Sequence, residues 1–493
     1  TTMTVVSSLP LDRHPWSSLL QRDDVVVDRG LLHLVHDRLT PDQAHAEDLI
    51  FVSDVLEDAG VGVRLIRHDR HTLALVVDLA ERAAAHAALA GACAHEPLHV
   101  KLKQSAAVLA VDAAPLPDAP TAVRVYRPRI ARTGGLRYGA ATGVRVQFWR
   151  FASDVVDAPS DNTFSRRRTA ATDLVATTVE RHGRSWRTWE GMFDPQPDEV
   201  TDEIDIVFSW VDGSSTDFQR QRAARMAGYV VGAGDDGPAR YRHVDELRYA
   251  LRSVHMYAPW VRRIFIATDS PAPSWLLDHP KVTIVRSEDF FADPATLPTH
   301  NSHAVEAQLH RIPGLAEHFL YSNDDMFFGR RVHPEMFFTP AGVTKFVECG
   351  VRIGSGAPEP HRSGHDNGLR VNRALLTPLR RSVMAELEQE FPEDFARTAG
   401  SRFRAATDIS VTNSLYHYYA LMTGRAVPTS RPRTRYVQTT MRSGLRRMER
   451  LAGREAVDMF CLNDGGEVEV PEEVRAHTVR ATLERMFPVP APW

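Results

Sequence analysis

Cysteine is scarce in this chain. Three stand among 493 residues, Cys93, Cys349 and Cys461. They lie too far apart for a metal-type spacing or a disulfide framework, which fits a reducing compartment. Long apolar runs are missing as well. No stretch reaches the roughly eighteen apolar residues of a membrane-spanning helix, so any membrane contact is expected to be peripheral. The start of the sequence has no charged-then-apolar leader pattern. Neither sign of charge dominates: 59 basic against 63 acidic residues leave a net charge of -4, so no basic field points to nucleic acid. Local arginine clusters keep an anionic small substrate open. Repeats and low-complexity tracts are absent. What remains is ordinary for a globular protein, 43% hydrophobic and 25% charged, with length for two or three domains.

The first 195 residues predict a small α+β domain. Pro41 to Gly60 carries apolar Ala44, Leu49, Val52 and Leu56 at helical spacing. Val61–Ile66 and Thr72–Val77 read as strands, Leu79–Cys93 as a helix, Leu98–Leu102 as a further strand. Alternation between Thr121 and Phe151, punctuated by glycines, predicts β-hairpins. His33, His36, Arg67 and His68 are expected on the solvated surface. Pro195 to Glu203, rich in proline and acid, predicts a linker.

A second domain is expected over 204–493. Ile204–Ser209 is an apolar strand running into Trp210-Val211-Asp212-Gly213. In α/β sheets ligands bind off such carboxyl ends. Trp210 suits stacking on a base or filling the core; Asp212 suits ribose, a metal or a plain turn. Val244–Tyr257 is a helix with an apolar stripe of Val244, Leu247, Leu251 and Val254. Arg248 and Arg252 lie one turn apart on it, facing a phosphate or solvent. Val261–Ala267 ends in Thr268-Asp269, and Val282–Arg286 is a third strand. Asn301 or Ser302 caps a helix bearing His303, Glu306 and His310. Phe319–Phe328 opens apolar, breaks into Asn323-Asp324-Asp325 and closes apolar. Two adjacent carboxylates at a strand end must find partners or hold a divalent cation, the bland alternative being an Asp-rich turn. Ser410–Leu421 predicts an amphipathic helix. Arg431–Arg435 and Arg442–Arg450 are basic, facing solvent or an anionic polymer. Cys461 reads as a buried thiol.

These stretches resemble the Stealth family of sugar-phosphate transferases. Four blocks carry the resemblance: Ile204–Gly213; Asp245-Glu246-Leu247-Arg248 through Asn301-Ser302-His303-Ala304 and Glu306 to Asn323-Asp324-Asp325-Met326; Arg380-Arg381-Ser382 with Arg402-Phe403-Arg404 to Asp408; and Phe460-Cys461-Leu462-Asn463-Asp464-Gly465. They span about residues 204–490. One departure stands out. Relatives carry a segment like His-x-Pro-His before the third block; here Asn372–Leu379 takes its place, with His361 and His365 the nearest histidines.

The resemblance implies an α/β, Rossmann-like or GT-A-like catalytic domain with a mainly parallel sheet. It implies transfer of a sugar-1-phosphate from a nucleotide-sugar, such as UDP-N-acetylglucosamine, to a glycan hydroxyl in capsule or cell-surface polysaccharide synthesis. The expected setting is cytoplasmic, at the inner face of the membrane, with Mg²⁺ or Mn²⁺ as cofactor. By position, Asp212, Asn301, His303, Glu306, Asn323, Asp324, Asp325, Arg404, Asp408, Asn463 and Asp464 fall in the family's pocket. Phosphoryl transfer asks mainly for positioning and charge neutralisation. Asp324 and Asp325, with Asp464 third, are the expected metal ligands. Arg404 and Arg402, with Lys345 a further cation, suit the diphosphate. Histidine as a type titrates near pH 6.5, so His303 is the first candidate base and Asp408 the second. Trp210, Gly213, Arg248 and Asp269 complete the expected substrate contacts. The rivals are a metal-dependent glycosyltransferase releasing UDP and an inactive glycan-binding homologue.

Overall fold

A computed structural model describes residues 17–102, 108–113, 115–213, 220, 244–352, 370–372, 376–405, 407–452, 456–464 and 468–493, with 348–352 and 370–372 described by backbone alone. The chain forms two compact units, Thr1–Pro197 and Asp198–Trp493.

In the first unit, helix α1 (Pro41–Asp58) starts where Thr40 and Gln43 satisfy each other's backbone N–H in a capping box. It is followed by β1 (Val63–Asp69), β2 (Thr72–Asp78), α2 (Arg82–Ala92), β3 (His99–Leu102), β4 (Thr121–Tyr126) and β5 (Val144–Phe151). These strands share one sheet, in the order β1-β2-β5-β4-β3. Its pairings are antiparallel except β5 with β2. Between Thr121 and Phe151 a short hairpin does form, Arg129–Ala131 running antiparallel to Arg137–Tyr138. β4 and β5 also pair, and the hairpin between them joins a second sheet with Val25–Asp28 and Leu31–His36. Alternation along each strand sends Leu65, Leu75, Val77, Val123, Val125, Val146 and Phe148 into one core with α1 and α2. The opposite face holds a smaller cluster around Ile66, Trp149 and Trp189. His33 and His36 are buried, 5% and 7% exposed, against expectation. His36 stacks on Tyr138 with centroids 5.0 Å apart, and burial pushes its imidazole down to about 4.

The second unit is mixed α/β with several sheets. Its elements include β6 (Ile204–Ser209), α3 (Glu246–Tyr257), β7 (Ile264–Ala267), β8 (Val282–Val285), α4 (Ser302–Gln308), β9 (His318–Asn323), β10 (Met326–Phe328), β11 (Thr377–Arg380), α5 (Arg381–Glu390), β12 (Thr434–Gln438), α6 (Arg442–Leu451), β13 (Met459–Asn463) and α7 (Glu472–Met486). The central sheet runs β8-β7-β6-β9-β11. Its first four strands are mutually parallel and β11 is antiparallel to β9. Strands covered on both faces must be apolar throughout, and Ile206, Val207, Phe208, Phe265, Ile266, Phe319 and Leu320 are all fully buried. Each such side chain contributes about 1.5–3 kcal/mol of transfer free energy.

One charge breaks that rule. Asp205 is 0% exposed and would be costly alone. Arg262 grips it with Nε at 2.9 Å and Nη2 at 2.6 Å, and the Arg263 and Ala316 amides donate to it. This clamp fixes the in-register alignment of β6 with β7 and β9. As a result Ser209, Ala267 and Asn323 come out on one rim.

Candidate active site

At that rim the chain turns through Asp324-Asp325 and returns as β10. β10 pairs antiparallel with β13, setting Met326 opposite Cys461. β13 in turn pairs in parallel with β12, with Gln438 opposite Asn463. Asp325 and Cys461 are therefore neighbours by register: the Cys461 thiol donates to Asp325 Oδ2 at 3.6 Å. Asp325 Oδ1 is buried and has no hydrogen-bond partner. α3 abuts the same strand, the Ser253 hydroxyl accepting from the Phe328 amide at 3.1 Å. It brings Glu246, 7% exposed, up to the pair.

Asp324 and Asp325 are partly open to solvent yet ringed by protein. Burial, and then the charge of Asp325 and Glu246, drives the Asp324 carboxyl far above the carboxylate range. Burial and Glu246 push Asp325 up to about 7. Three carboxyls thus face one another, and among the described residues the charge of Arg475, paired with Asp464, also reaches Glu246. Two protein carboxylates completed by substrate phosphate oxygens are the usual way Mg²⁺ is held, so the orphaned Asp325 oxygen and its neighbours fit such an ion. Among the described residues, no group of three or more His, Cys, Asp or Glu side chains is gathered as a ready-made cage. Asp464, expected as a third ligand, has its Oδ1 taken by Arg475 Nη1 at 2.9 Å and by the Thr439 hydroxyl.

A second polar cluster forms where α4 meets the rim. Asn301 caps α4, its Oδ1 accepting from the His303 amide at 3.0 Å. Its Nδ2 donates to Asp408 Oδ2 at 2.8 Å, as does the Ala405 amide. His303 Nδ1 lies 3.7 Å from the same carboxylate oxygen. Burial raises the Asp408 carboxyl, but His303, the Ala405 amide and Asn301 outweigh it and hold it below the ordinary value. One turn on, Glu306 accepts from the Thr412 hydroxyl at 2.7 Å and from the Tyr321 phenol at 3.3 Å. Tyr321 also lies 3.0 Å from Asn323 Oδ1 and 2.8 Å from Ser209 Oγ. This chain of contacts ties α4 to the residue immediately before the aspartate pair. Arg404 donates to the Ser302 hydroxyl beside His303.

The remaining expected residues are placed as follows. Trp210 is 8% exposed, in the core more than on a stacking surface. The Asp212 amide donates to Ser270 Oγ and the Gly213 amide to the Val211 carbonyl. Asp269 caps the turn at Ser287. Arg248 lies over the Trp275 ring at 6.0 Å. Arg402 is exposed, and Asn463 is exposed with Nδ2 donating to Gln438. Lys345 Nζ donates to the Glu335 carbonyl. Two expectations fail. Arg252 does not face a phosphate or solvent but is buried, donating to Glu484 and the Phe487 carbonyl. α4 ends at Gln308, so His310 leaves the face of His303 and bonds Glu388 at 2.8 Å. His361 and His365 lie outside the described residues. Glu246 is the residue that sequence reading passed over, because an acid in a first helical turn looks solvated. Its one signal is that it stands beside the apolar stripe, directly before Leu247.

Comparison with known proteins follows the same ground. Stealth conserved regions 1, 2, 3 and 4 match residues 202–230, 240–346, 377–421 and 450–493. Exopolysaccharide phosphotransferase CpsY of Mycobacterium tuberculosis is 51% identical over 489 residues, covering 95% of this chain and 92% of that one. An exopolysaccharide phosphotransferase of Nocardia farcinica is 50% identical over 475 residues, covering 93% and 89%. Exopolysaccharide phosphotransferase SCO6023 of Streptomyces coelicolor is 38% identical over 392 residues, covering 73% and 66%. Among solved structures, the galactosyltransferase LgtC with donor and acceptor sugar analogs aligns over 57% of this chain and 95% of its own. The TM-score is 0.32 at 12% sequence identity.

Proposed function

The chain belongs to the Stealth family, and on that premise we propose that it transfers a sugar-1-phosphate from a UDP-sugar to a glycan hydroxyl during cell-surface polysaccharide synthesis. Its relatives are named exopolysaccharide phosphotransferases, and it is a transferase enzyme. The observation that carries the finer reading is the pair Asp324-Asp325, half-buried beside Glu246 with one Asp325 oxygen left without a hydrogen-bond partner. Carboxyls raised in this way suit a divalent cation, and Mg²⁺ or Mn²⁺ arriving with a nucleotide diphosphate would bring that charge.

In this reading Asp324 and Asp325 would hold the divalent ion, which would supply charge neutralisation at the diphosphate. Arg404 adds a fixed cation beside α4. The acceptor oxygen bonds to the phosphorus that carries the sugar, the bridging P–O bond breaks, and UMP leaves. The acceptor proton passes to His303. Asp408, on the Nδ1 side of that ring, orients it and favours the imidazolium that forms. Histidine and aspartate, expected as alternative bases, thus take complementary roles. The Tyr321–Glu306–Thr412 contacts hold Asn323, and with it the start of the aspartate turn. The expected setting is the cytoplasmic face of the membrane; among the described residues no helix is long and apolar enough to cross one.

The test is the nucleotide released from UDP-N-acetylglucosamine with an acceptor glycan and Mg²⁺. Chelator-sensitive UMP supports the reading. UDP means transfer of the sugar alone, and the reading falls.

A further inference from the structure

The first unit places three cations in direct register on three neighbouring strands. Arg145 on β5 stands opposite Arg124 on β4, and Arg124 stands opposite Lys101 on β3. Facing residues on antiparallel strands have Cβ atoms about 4.5–5.5 Å apart, and like charges there repel. All three side chains are half-buried, so water screens them only in part. None makes an ion pair with a carboxylate among the described residues. Arg124 Nη1 donates to the Gly143 carbonyl at 3.0 Å, while Arg145 Nε is buried without a hydrogen-bond partner. Burial lowers both guanidinium groups, Arg124's charge lowers Arg145 further, and Asp69 offsets part of this. At the end of the row Gln147 Nε2 lies 3.2 Å from His68 Nδ1, adding neutral polar groups and no counter-charge. A row of three half-buried cations, offset only in part by Asp69 and with one buried donor unused, suits a ligand of the opposite sign.

We propose that Lys101, Arg124 and Arg145 form an anion site of the first unit, and that its ligand is a phosphate group carried on an acidic glycan. The glycan part of this assignment rests on the transfer reading above, since a polymer lengthened by sugar-1-phosphate units carries one negative charge per phosphodiester. Arg presents a planar fork that matches phosphate oxygens, and two forks side by side suit one phosphodiester. The aromatic rings beside the row, Tyr126 and Trp149, are 3% and 1% exposed. They offer no face on which nucleic-acid bases could stack.

The test uses the full chain carrying Asp324→Asn, so that binding is read without turnover. Fluorescein-labelled dextran phosphate is titrated by polarisation, with plain dextran and a single-stranded oligonucleotide as comparators. The expected result is binding of dextran phosphate at least tenfold tighter than of dextran. R124Q/R145Q is expected to lose tenfold or more, and R124K/R145K to stay within a few fold of the parent. Because the substitutions relieve repulsion, R124Q/R145Q should keep its melting temperature, which separates lost binding from lost folding. Unchanged affinity in R124Q/R145Q overturns the site. Tighter binding of the oligonucleotide than of dextran phosphate at matched charge overturns the glycan assignment. Failure to release UMP from the donor overturns the transfer reading and leaves this binding comparison intact.

Discussion

Asp324 and Asp325 sit in a place where their charge is costly. Their folded carboxyls titrate above the ordinary range, Asp325 at about 7. A carboxyl raised on folding binds protons in the native state that the unfolded chain has already released. Stability is therefore lost as pH rises from about 4 through 7. Asp324→Asn removes that repulsion. We expect it to abolish transfer and, in chelator, to raise the melting temperature at pH 7.5 by about 2 °C or more, an increment of roughly 1 kcal/mol. At pH 4.5 the gain should vanish. Calorimetry at the two pH values checks the sign, and a drop in stability at pH 7.5 would sink the idea. His303 and Asp408 give the complementary case. His303→Ala should cost about 10²–10⁴-fold in kcat, the usual worth of a general base. Asp408→Asn should cost less and shift the acid limb of the pH–rate profile, because it orients the ring without taking the proton. These roles were legible only in part from the sequence. The paired aspartates announce themselves by breaking an apolar strand. The joining of His303 to Asp408 does not, since 105 positions of chain separate two residues that one Asn301 side chain draws together. Glu246 was hidden because helical periodicity marks apolar stripes and says nothing of acids buried beside them.

At the scale of elements, α6 shows how packing sets the rim. A Cβ added to Gly444 would lie 1.8 Å from the Gln438 carbonyl oxygen. The helix therefore lies directly on the backbone of β12, and only glycine allows that approach. The next residue after β12, Thr439, donates to Asp464, which also pairs with Arg475 of α7. Gly444→Ala must push α6 and the end of β12 apart. Overpacking of this kind costs about 1–3 kcal/mol, and the disturbance should reach Asp464. Urea unfolding should show the loss, whereas Ser443→Ala at the exposed neighbouring position should leave stability within about 0.5 kcal/mol. Sequence reading found β6, β7, β8 and β9 because buried strands of this kind are continuous apolar runs. It missed the partnership of β10, β12 and β13, three short strands far apart in the chain, because pairing between distant segments leaves no local trace.

Across the whole molecule, each unit hides neutral histidines. Burial pushes His36 and His99 to about 4 in the first unit. In the second it pushes His255 to about 4 and His417 to about 3. His417 is 0% exposed, its ring stacked on Phe346 with centroids 4.9 Å apart and its Nε2 donating to the Thr412 carbonyl. A histidine whose folded pKa lies below 6.5 takes up its proton more readily when unfolded. Stability is then fully present above about pH 6.5 and is lost as pH falls toward 4. At pH 5 a group lowered to about 4 costs about 2 kcal/mol, so the sites within one unit together can consume much of the 5–15 kcal/mol that holds a domain. Both units should therefore become labile over the same window, pH 6.5 to 4. Glu388, held down to about 2 by His310 and Arg311 against the pull of burial, adds a loss only below about pH 4.5. Urea midpoints measured at half-unit pH steps should fall steeply between 6.5 and 5. His417→Gln keeps a donor for the Thr412 carbonyl and removes the proton site. It should flatten that fall for the second unit alone, and an unaltered slope would exclude His417 from the acid response.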